Sequence, residues 1–255
     1  MKKNNLNINK LSRQNLDTGI YRRRLKGLVP YNWHIVYKHS DLFVSCSKDL
    51  LSKIVKQLRD FYVVIEEVIK TSPNFQKSLM PVKENKDYPK IINEMIRKSR
   101  NFNVGPMASV AGAVCDYIGR NLSGKCSTLL IENGGDVFIK SIKDLTVGIH
   151  VENDNFRNKI CLRIKKGQTP CGLCSSSGIF GHSLSLGKSD LVTVLGKTTI
   201  GADAAATALG NRVGKEKDIN VAIDAFKNKA GIMGMLVIKG KRLGAWGNIE
   251  LVNCN

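Results

Sequence analysis

The chain has 255 residues, 42% of them hydrophobic, enough to bury a sizeable core in one large domain or two closely joined ones. Forty Lys and Arg against 21 Asp and Glu leave a net charge of +19, a field that attracts phosphates, nucleic acids or anionic surfaces. Twenty-three glycines and several β-branched runs exclude a simple helical bundle. No RNP-like motif, helix-turn-helix signature or zinc-finger spacing marks a dedicated nucleic-acid reader, so the basic excess reads first as a solvated surface.

Residues 1–27 read as a basic, Asn-rich tail ending in Arg22-Arg23-Arg24, either loose or pairing as an edge strand through its latter half. Residues 33–37 and 41–46 form a hairpin turning at Lys38-His39-Ser40. Ser47 is placed to cap a long helix from Lys48 to about Ile69. Its apolar residues Leu51, Ile54, Val55, Leu58, Phe61, Tyr62 and Ile65 repeat at the spacing of one buried face. Thr71-Ser72-Pro73 stops that helix, and a shorter one is expected over about 89–98.

Small residues dominate from Gly105 onward. A helix rich in Ala and Gly is expected over 107–122, then strands over 128–132 and 137–139 joined by the tight turn Asn133-Gly134-Gly135-Asp136. Residues 145–151 and 159–164 form a second antiparallel pair. A strand at 191–195 leads into a helix opened by 199–203, and Gly210 to Gly214 stops it. A helix at about 219–227 and strands near 232–238 and 249–252 complete the chain. This order predicts an α+β fold of mixed, largely antiparallel sheets packed with helices, with 28–255 as a single domain.

Seven cysteines, an odd number, sit mostly in apolar segments, and a chain of this length without a secretory h-region is expected to keep them reduced. No stretch approaches the ~18 apolar residues of a membrane span. Cytoplasm is the expected compartment. Cys171 and Cys174 make a CxxC, but no second pair accompanies them for zinc and no thioredoxin-like βαβ unit surrounds them.

Three segments carry candidate chemistry. In Gly201-Ala202-Asp203-Ala204-Ala205-Ala206-Thr207, the carboxylate and hydroxyl four residues apart share one helix face and suit a hard cation such as Mg²⁺. The plain alternative is an acid favoured by the helix dipole and a Thr bonded back to a carbonyl. In Glu132-Asn133-Gly134-Gly135-Asp136 the glycines let a ligand approach the main chain, or simply form a turn. Ser175-Ser176-Ser177-Gly178 offers amides and hydroxyls to a phosphate, and His182 beyond it is a candidate proton carrier. As structure alone, that stretch is a polar loop.

Taken in order, these segments resemble the ApbE superfamily, whose characterised members include FAD:protein FMN transferases. Ala111-Gly112-Ala113-Val114-Cys115-Asp116 is similar to that family's KGYAVD segment, and Glu132 to Asp136 to its NLGGD turn. Ser175 to Gly178 resembles its A-T-S-G loop, and Ala202 to Thr207 its A-D-A-x-A-T helix. The likeness spans roughly 103–252. The motif's lysine is absent, with Val110 and Ala111 nearby instead, and His182 is followed by Ser183 and Leu184 where the family has an H-x-x-D-P segment.

The resemblance implies Mg²⁺ held by Asp203, Thr207 and a main-chain oxygen near Ala113. It implies FAD or FMN, or another nucleotide, cradled by Asn133, Gly134, Gly135, Asp136 and Ser175, Ser176, Ser177 and Gly178, with His182 as the catalytic proton carrier. The implied function is a flavin or nucleotidyl transferase acting on a protein acceptor. The other reading is a binding or accessory protein that keeps the flavin- or phosphate-binding architecture without transfer chemistry; the chain resembles a small cytoplasmic branch in archaea and some bacteria that has been associated with sulfur assimilation. A homo-oligomer is compatible with either. The alternative from a different class is a basic nucleic-acid-binding module without enzymatic activity.

Overall fold

The structure is a computed structural model that describes residues 6–10, 29–157, 159–178 and 188–254. Its centre is a nine-stranded antiparallel sheet. In chain order its strands are β1 (Asn7–Lys10), β2 (Tyr31–Tyr37), β3 (Ser40–Cys46), β4 (Leu129–Asn133) and β5 (Asp136–Lys140). β8 (Cys171–Ser176), β9 (Leu191–Gly196), β10 (Ile232–Lys239) and β11 (Arg242–Gly247) complete it, in spatial order β1-β2-β3-β4-β5-β8-β9-β10-β11. The two strands missing from that sequence, β6 (Leu145–Ile149) and β7 (Ile160–Ile164), join β12 (Glu250–Val252) in a second, three-stranded sheet.

The alternation of side chains explains the layering. On β8, Cys171 and Leu173 point into a core shared with Leu145, Val147, Ile160, Leu162 and Ile164 of the small sheet, while Cys174 points the other way, among helix residues. The same split runs through β9, where Leu191 and Leu195 face the small sheet and Val192 and Val194 face the helices. Strands buried on both faces read as nearly continuous apolar runs rather than an alternation.

The helices α1 (Leu51–Thr71), α2 (Pro73–Lys77), α3 (Lys90–Asn101), α4 (Val110–Ser123), α5 (Thr199–Gly210) and α6 (Asp218–Phe226) supply the other layer. α1 buries Ile54, Val55, Leu58, Phe61, Tyr62, Ile65 and Val68, the face that its sequence spacing predicts, with Leu51 half-buried. Each such burial is worth about 1.5–3 kcal/mol. α2, begun by Pro73 at its first turn, follows directly where the sequence reads only a stop.

Four details differ from expectation. Ser47 does not cap α1, whose N-cap is Leu50; its hydroxyl instead accepts from the Ser127 and Thr128 amides at 3.0 and 3.2 Å and ties β3 to the start of β4. Within the segment read as a basic tail, Asn7–Lys10 pairs with β2, where no strand was expected; the latter half, for which edge pairing was the expectation, lies outside the described residues. The Ser175–Ser176 part of the expected polar loop is the end of strand β8. Cys161 and Cys254 are joined by a disulfide that fixes the C-terminus to β7, against the expectation that all cysteines stay reduced; β12 runs beside β7 and brings their Cα atoms to 5.4 Å. Cys171 and Cys174 do not pair. They sit three apart on one strand, so they face opposite layers, and burial pushes the Cys171 thiol up to about 12 and that of Cys174 well above its usual range.

Among the described residues no helix is long and apolar enough to cross a membrane.

Candidate functional site

The site forms where α4 and the first turns of α5 meet the ends of β5 and β8. Small residues make the meeting possible. A Cβ on Gly112 of α4 would stand 2.5 Å from Thr199 O and 2.8 Å from the Asp203 Cβ, and one on Gly172 of β8 only 2.4 Å from the Thr199 Cα. Neither position admits any other side chain without moving backbone. Thr198, in extended conformation, caps α5 by accepting from the Gly201 amide at 3.1 Å.

Two bonds lock α4 to α5. The Gly112 amide donates to Asp203 Oδ2 at 2.8 Å, and the Ile200 amide donates to Asp116 Oδ2 at 2.9 Å. Asp203 and Thr207 lie one turn apart on α5, and Thr207 is buried. Ala113, fully buried, follows Gly112 on α4.

The second carboxylate is Asp136, the first residue of β5 and only 5% exposed. Its Oδ1 has no hydrogen-bond partner among the described residues. Burial first, then the neighbouring Asp203, push its carboxyl well above the usual range, while the Cys174 thiol and Ser175 amide work the other way. Burial likewise lifts Asp203 to about 7, against the stabilising Gly112 amide. Neither acid is paired with a lysine or arginine among the described residues. Beside them Cys174 Sγ donates to Thr199 O, and Cys115 Sγ donates to Asp136 O, both at 3.4 Å. Thr199 Oγ1 is also buried without a partner among the described residues. Two unsatisfied oxygens at one junction are costly in a folded protein unless something else satisfies them.

The glycine turn and the serine strand come together beside this pair. Gly134 and Gly135 adopt φ of +64° and +102° between Asn133 and Asp136, a two-residue hairpin that only glycine enters freely. Glu132 Oε1 accepts from the Gly135 amide at 2.8 Å, and Asn133 Oδ1 accepts from the Asp41 amide at 3.3 Å, so both side chains brace the turn. A Cβ on Gly135 would lie 3.8 Å from Ser175 O, and Asp136 is opposite Cys174 in the sheet register.

The serines divide between faces. Ser175 Oγ is hydrogen-bonded to Thr193 Oγ1 at 2.9 Å on the sheet face away from α5, whereas a Cβ on Gly210 would stand 3.8 Å from Ser176 Oγ. Ser177 is half-buried and Gly178 exposed at the end of the strand, where the Gly178 amide donates to Ser189 O. His182 lies outside the described residues.

A hard cation suits this chemistry. Mg²⁺ takes oxygen donors, keeps several of its waters and needs one or two carboxylates from the protein. Asp203, the Thr207 hydroxyl and a carbonyl near Ala113 are donors of that kind. Among the described residues no three His, Cys, Asp or Glu side chains form a metal cage, and that oxygen set does not require one. The unsatisfied Asp136 Oδ1 is the observation that most favours a positive group here.

Sequence reasoning placed Asp116 in the motif segment without a role and missed Arg120 and Glu94, and the structure joins the three into one chain. Arg120 donates to Asp116 Oδ2 at 2.7 Å and to both oxygens of Glu94 at 2.8 and 3.0 Å. The i, i+4 spacing of Asp116 and Arg120 was the available signal. Burial works against the Arg120 charge, but the two carboxylates outweigh it and hold its pKa up.

Fold and site together define an α+β protein of the ApbE-like class, a helix-covered antiparallel sheet with an acidic junction under two facing helices. The chain belongs to the family described as AbpE bacteria, whose model matches residues 22–230. It is 39% identical over 190 residues to the UPF0280 protein of Methanococcus maripaludis strain C6, covering 72% of this chain and 77% of that one. The UPF0280 protein of Methanocaldococcus jannaschii is 37% identical over 194 residues, covering 74% of this chain and 79% of its own length. Among solved structures, the apo flavinyl transferase ApbE of Pseudomonas stutzeri aligns over 81% of this chain and 90% of its own, with a TM-score of 0.50 and 13% identity. At that identity the likeness speaks for the fold. Nothing in the fold or these likenesses favours the nucleic-acid alternative.

Proposed function

We propose that the protein binds a flavin or nucleotide pyrophosphate together with Mg²⁺ at the α4–α5–β5 junction, and that its chemistry is of the flavin-transferase type with a protein acceptor. The observation that carries this reading is a pair of neighbouring acids, Asp136 buried and Asp203 half-buried, with no lysine or arginine paired to either and Asp136 Oδ1 unsatisfied among the described residues. Buried charge of one sign is held only where an opposite charge or a proton offsets it. Family membership and the likeness to the Pseudomonas stutzeri flavinyl transferase support the choice of ligand.

In this reading Asp203, Thr207 and the main-chain oxygen near Ala113 hold the ion. Bound there, Mg²⁺ supplies charge neutralisation for a pyrophosphate. The backbone of Gly134 and Gly135 gives the ligand close approach, flanked by Asn133 and Asp136, and the β8 end from Ser175 to Gly178 contributes amides and hydroxyls to its phosphates. His182 moves a proton at the transferred group. Cys115 and Cys174 pack behind the acids and keep water out of the junction. Residues 28–255 act as one unit in this scheme.

Thermal unfolding of the wild-type protein with FAD, with Mg²⁺ and with both tests the reading. A ligand at a hundredfold over its Kd stabilises by about 2.7 kcal/mol, so FAD with Mg²⁺ raises Tm clearly and each alone raises it less. Asp203→Ala abolishes the joint effect. FMN transfer to an acceptor protein, lost in the same variant, establishes the chemistry; no stabilisation by any flavin or nucleotide removes the reading.

A further inference from the structure

We infer that Asp116 is a positioning residue for the metal-bearing helix. Its carboxylate accepts the Ile200 amide, in the first turn of α5, and Arg120, itself clamped by Glu94 of α3, holds the carboxylate in place. The inference rests on the proposed ion site, because it concerns where Asp203 and Thr207 stand.

Asp116 is 1% exposed, so its charge is kept inside only because partners satisfy it. Oδ2 receives the Ile200 amide at 2.9 Å and Arg120 at 2.7 Å. The Ile200 amide is one of the first-turn donors that no carbonyl within the helix satisfies. Thr198 takes the Gly201 amide, and Asp116 reaches across from α4 to take Ile200. α5 is therefore capped by two residues, one of its own and one from its neighbour.

The geometry makes that second cap a ruler. Gly112 and Asp116 are one turn apart on α4, and each bonds α5: Gly112 through its amide to Asp203, Asp116 through its carboxylate to Ile200. Two bonds between the same pair of helices fix both their spacing and their register, and a carboxylate three residues from Ile200 cannot shift along the axis without breaking one of them. Arg120 extends the brace outward to Glu94 at 2.8 and 3.0 Å, so α3, α4 and α5 are tied in series. Partners that orient metal-bearing residues in this way change metal affinity by about 10–100-fold when removed.

The test uses Mn²⁺, an oxygen-loving ion readable by electron paramagnetic resonance, as the probe. Hydrogen exchange at the amides of residues 199–203 is read in parallel. Asp116→Ala is expected to weaken Mn²⁺ binding about tenfold or more and to speed exchange at Ile200. Asp116→Asn keeps an acceptor for Ile200 and recovers most of both; Glu94→Gln, which leaves Asp116 intact, gives a smaller loss in the same direction. Val68→Ala on α1 destabilises the fold at a distance and leaves Mn²⁺ affinity unchanged. Should Asp116→Ala not fold, the Asn and Gln variants decide, and wild-type affinity and exchange in both overturn the inference. A folded Asp116→Ala with wild-type Mn²⁺ affinity overturns it as well. If the wild-type protein binds no Mn²⁺, the ion reading fails by itself and exchange alone judges the clamp: faster exchange in Asp116→Ala upholds it, unchanged exchange refutes it.

Discussion

Replacing Gly112 with alanine puts the helix junction to its sharpest test. The added Cβ would meet Thr199 O at 2.5 Å, and ordinary van der Waals contact at 3.4 Å is reached only if α5 retreats by about 0.9 Å. Overpacking of this kind costs about 1–3 kcal/mol. The retreat also lengthens the bond from the Gly112 amide to Asp203, and at pH 8, where Asp203 is ionised, a hydrogen bond to a charged group is worth about 1.5–3 kcal/mol. Against both stands a helix-propensity gain of about 1 kcal/mol. The net expectation is a loss of about 1.5–5 kcal/mol, which for a chain of this size lowers Tm by about 3–20 °C. Gly124, the C-cap of the same helix, has right-handed helical φ and ψ of −67° and −13° and nothing within 4 Å of a Cβ. Gly124→Ala should therefore be neutral or stabilising by about 0.4–1 kcal/mol. Urea unfolding of the two variants beside the wild type reads both signs. A Gly112→Ala protein as stable as Gly124→Ala would refute the close packing of α4 on α5.

Four further outcomes follow from the same site and fold. In EDTA, Asp203 keeps its proton in the folded protein up to about 7 while the unfolded chain loses it near 3.8, so stability falls as pH rises across that window. Asp203→Asn removes that share of the slope, leaving the one from Asp136, whose carboxyl is also raised, and is at least as stable as the wild type at pH 8, as parallel unfolding curves from pH 4 to 8 will show. Mg²⁺ displaces the same proton, so its affinity rises with pH up to about 7 and then levels; calorimetry in buffers of different ionisation heat reads the released proton. Without reductant, denatured protein should bind five equivalents of a thiol reagent, one for each free cysteine. Cys254→Ser opens a link spanning 93 residues and should cost about 2–4 kcal/mol in urea unfolding.

Much of the scaffold was legible because local pattern and burial agree. The face of α1, the β2–β3 and β4–β5 hairpins and the start of α5 all rest on short-range signals that tertiary packing did not override. β8 was not legible. Gly172 and the serines at 175 and 176 read as a loop, and only the close approach of Thr199 explains why a strand there needs glycine. The sheet order was equally hidden, since β5 pairs with β8 across the inserted β6–β7 hairpin, and nothing local to either strand encodes that. Asp203 and Thr207 were visible from their spacing, and Asp136 from the glycine turn. That Asp136 is buried against Asp203, and that Asp116 braces Ile200, depend on residues 67 and 84 positions apart along the chain, which no short window contains.

The central claim is that Asp203 makes flavin binding depend on Mg²⁺. Titrating FAD into wild-type and Asp203→Ala protein by calorimetry, in Mg²⁺ and again in EDTA, addresses it directly. The account predicts saturable binding by the wild type in Mg²⁺, much weaker binding in EDTA, and the same weak binding by Asp203→Ala in either buffer. Equal FAD affinity in all four titrations, or no binding in any, would contradict it.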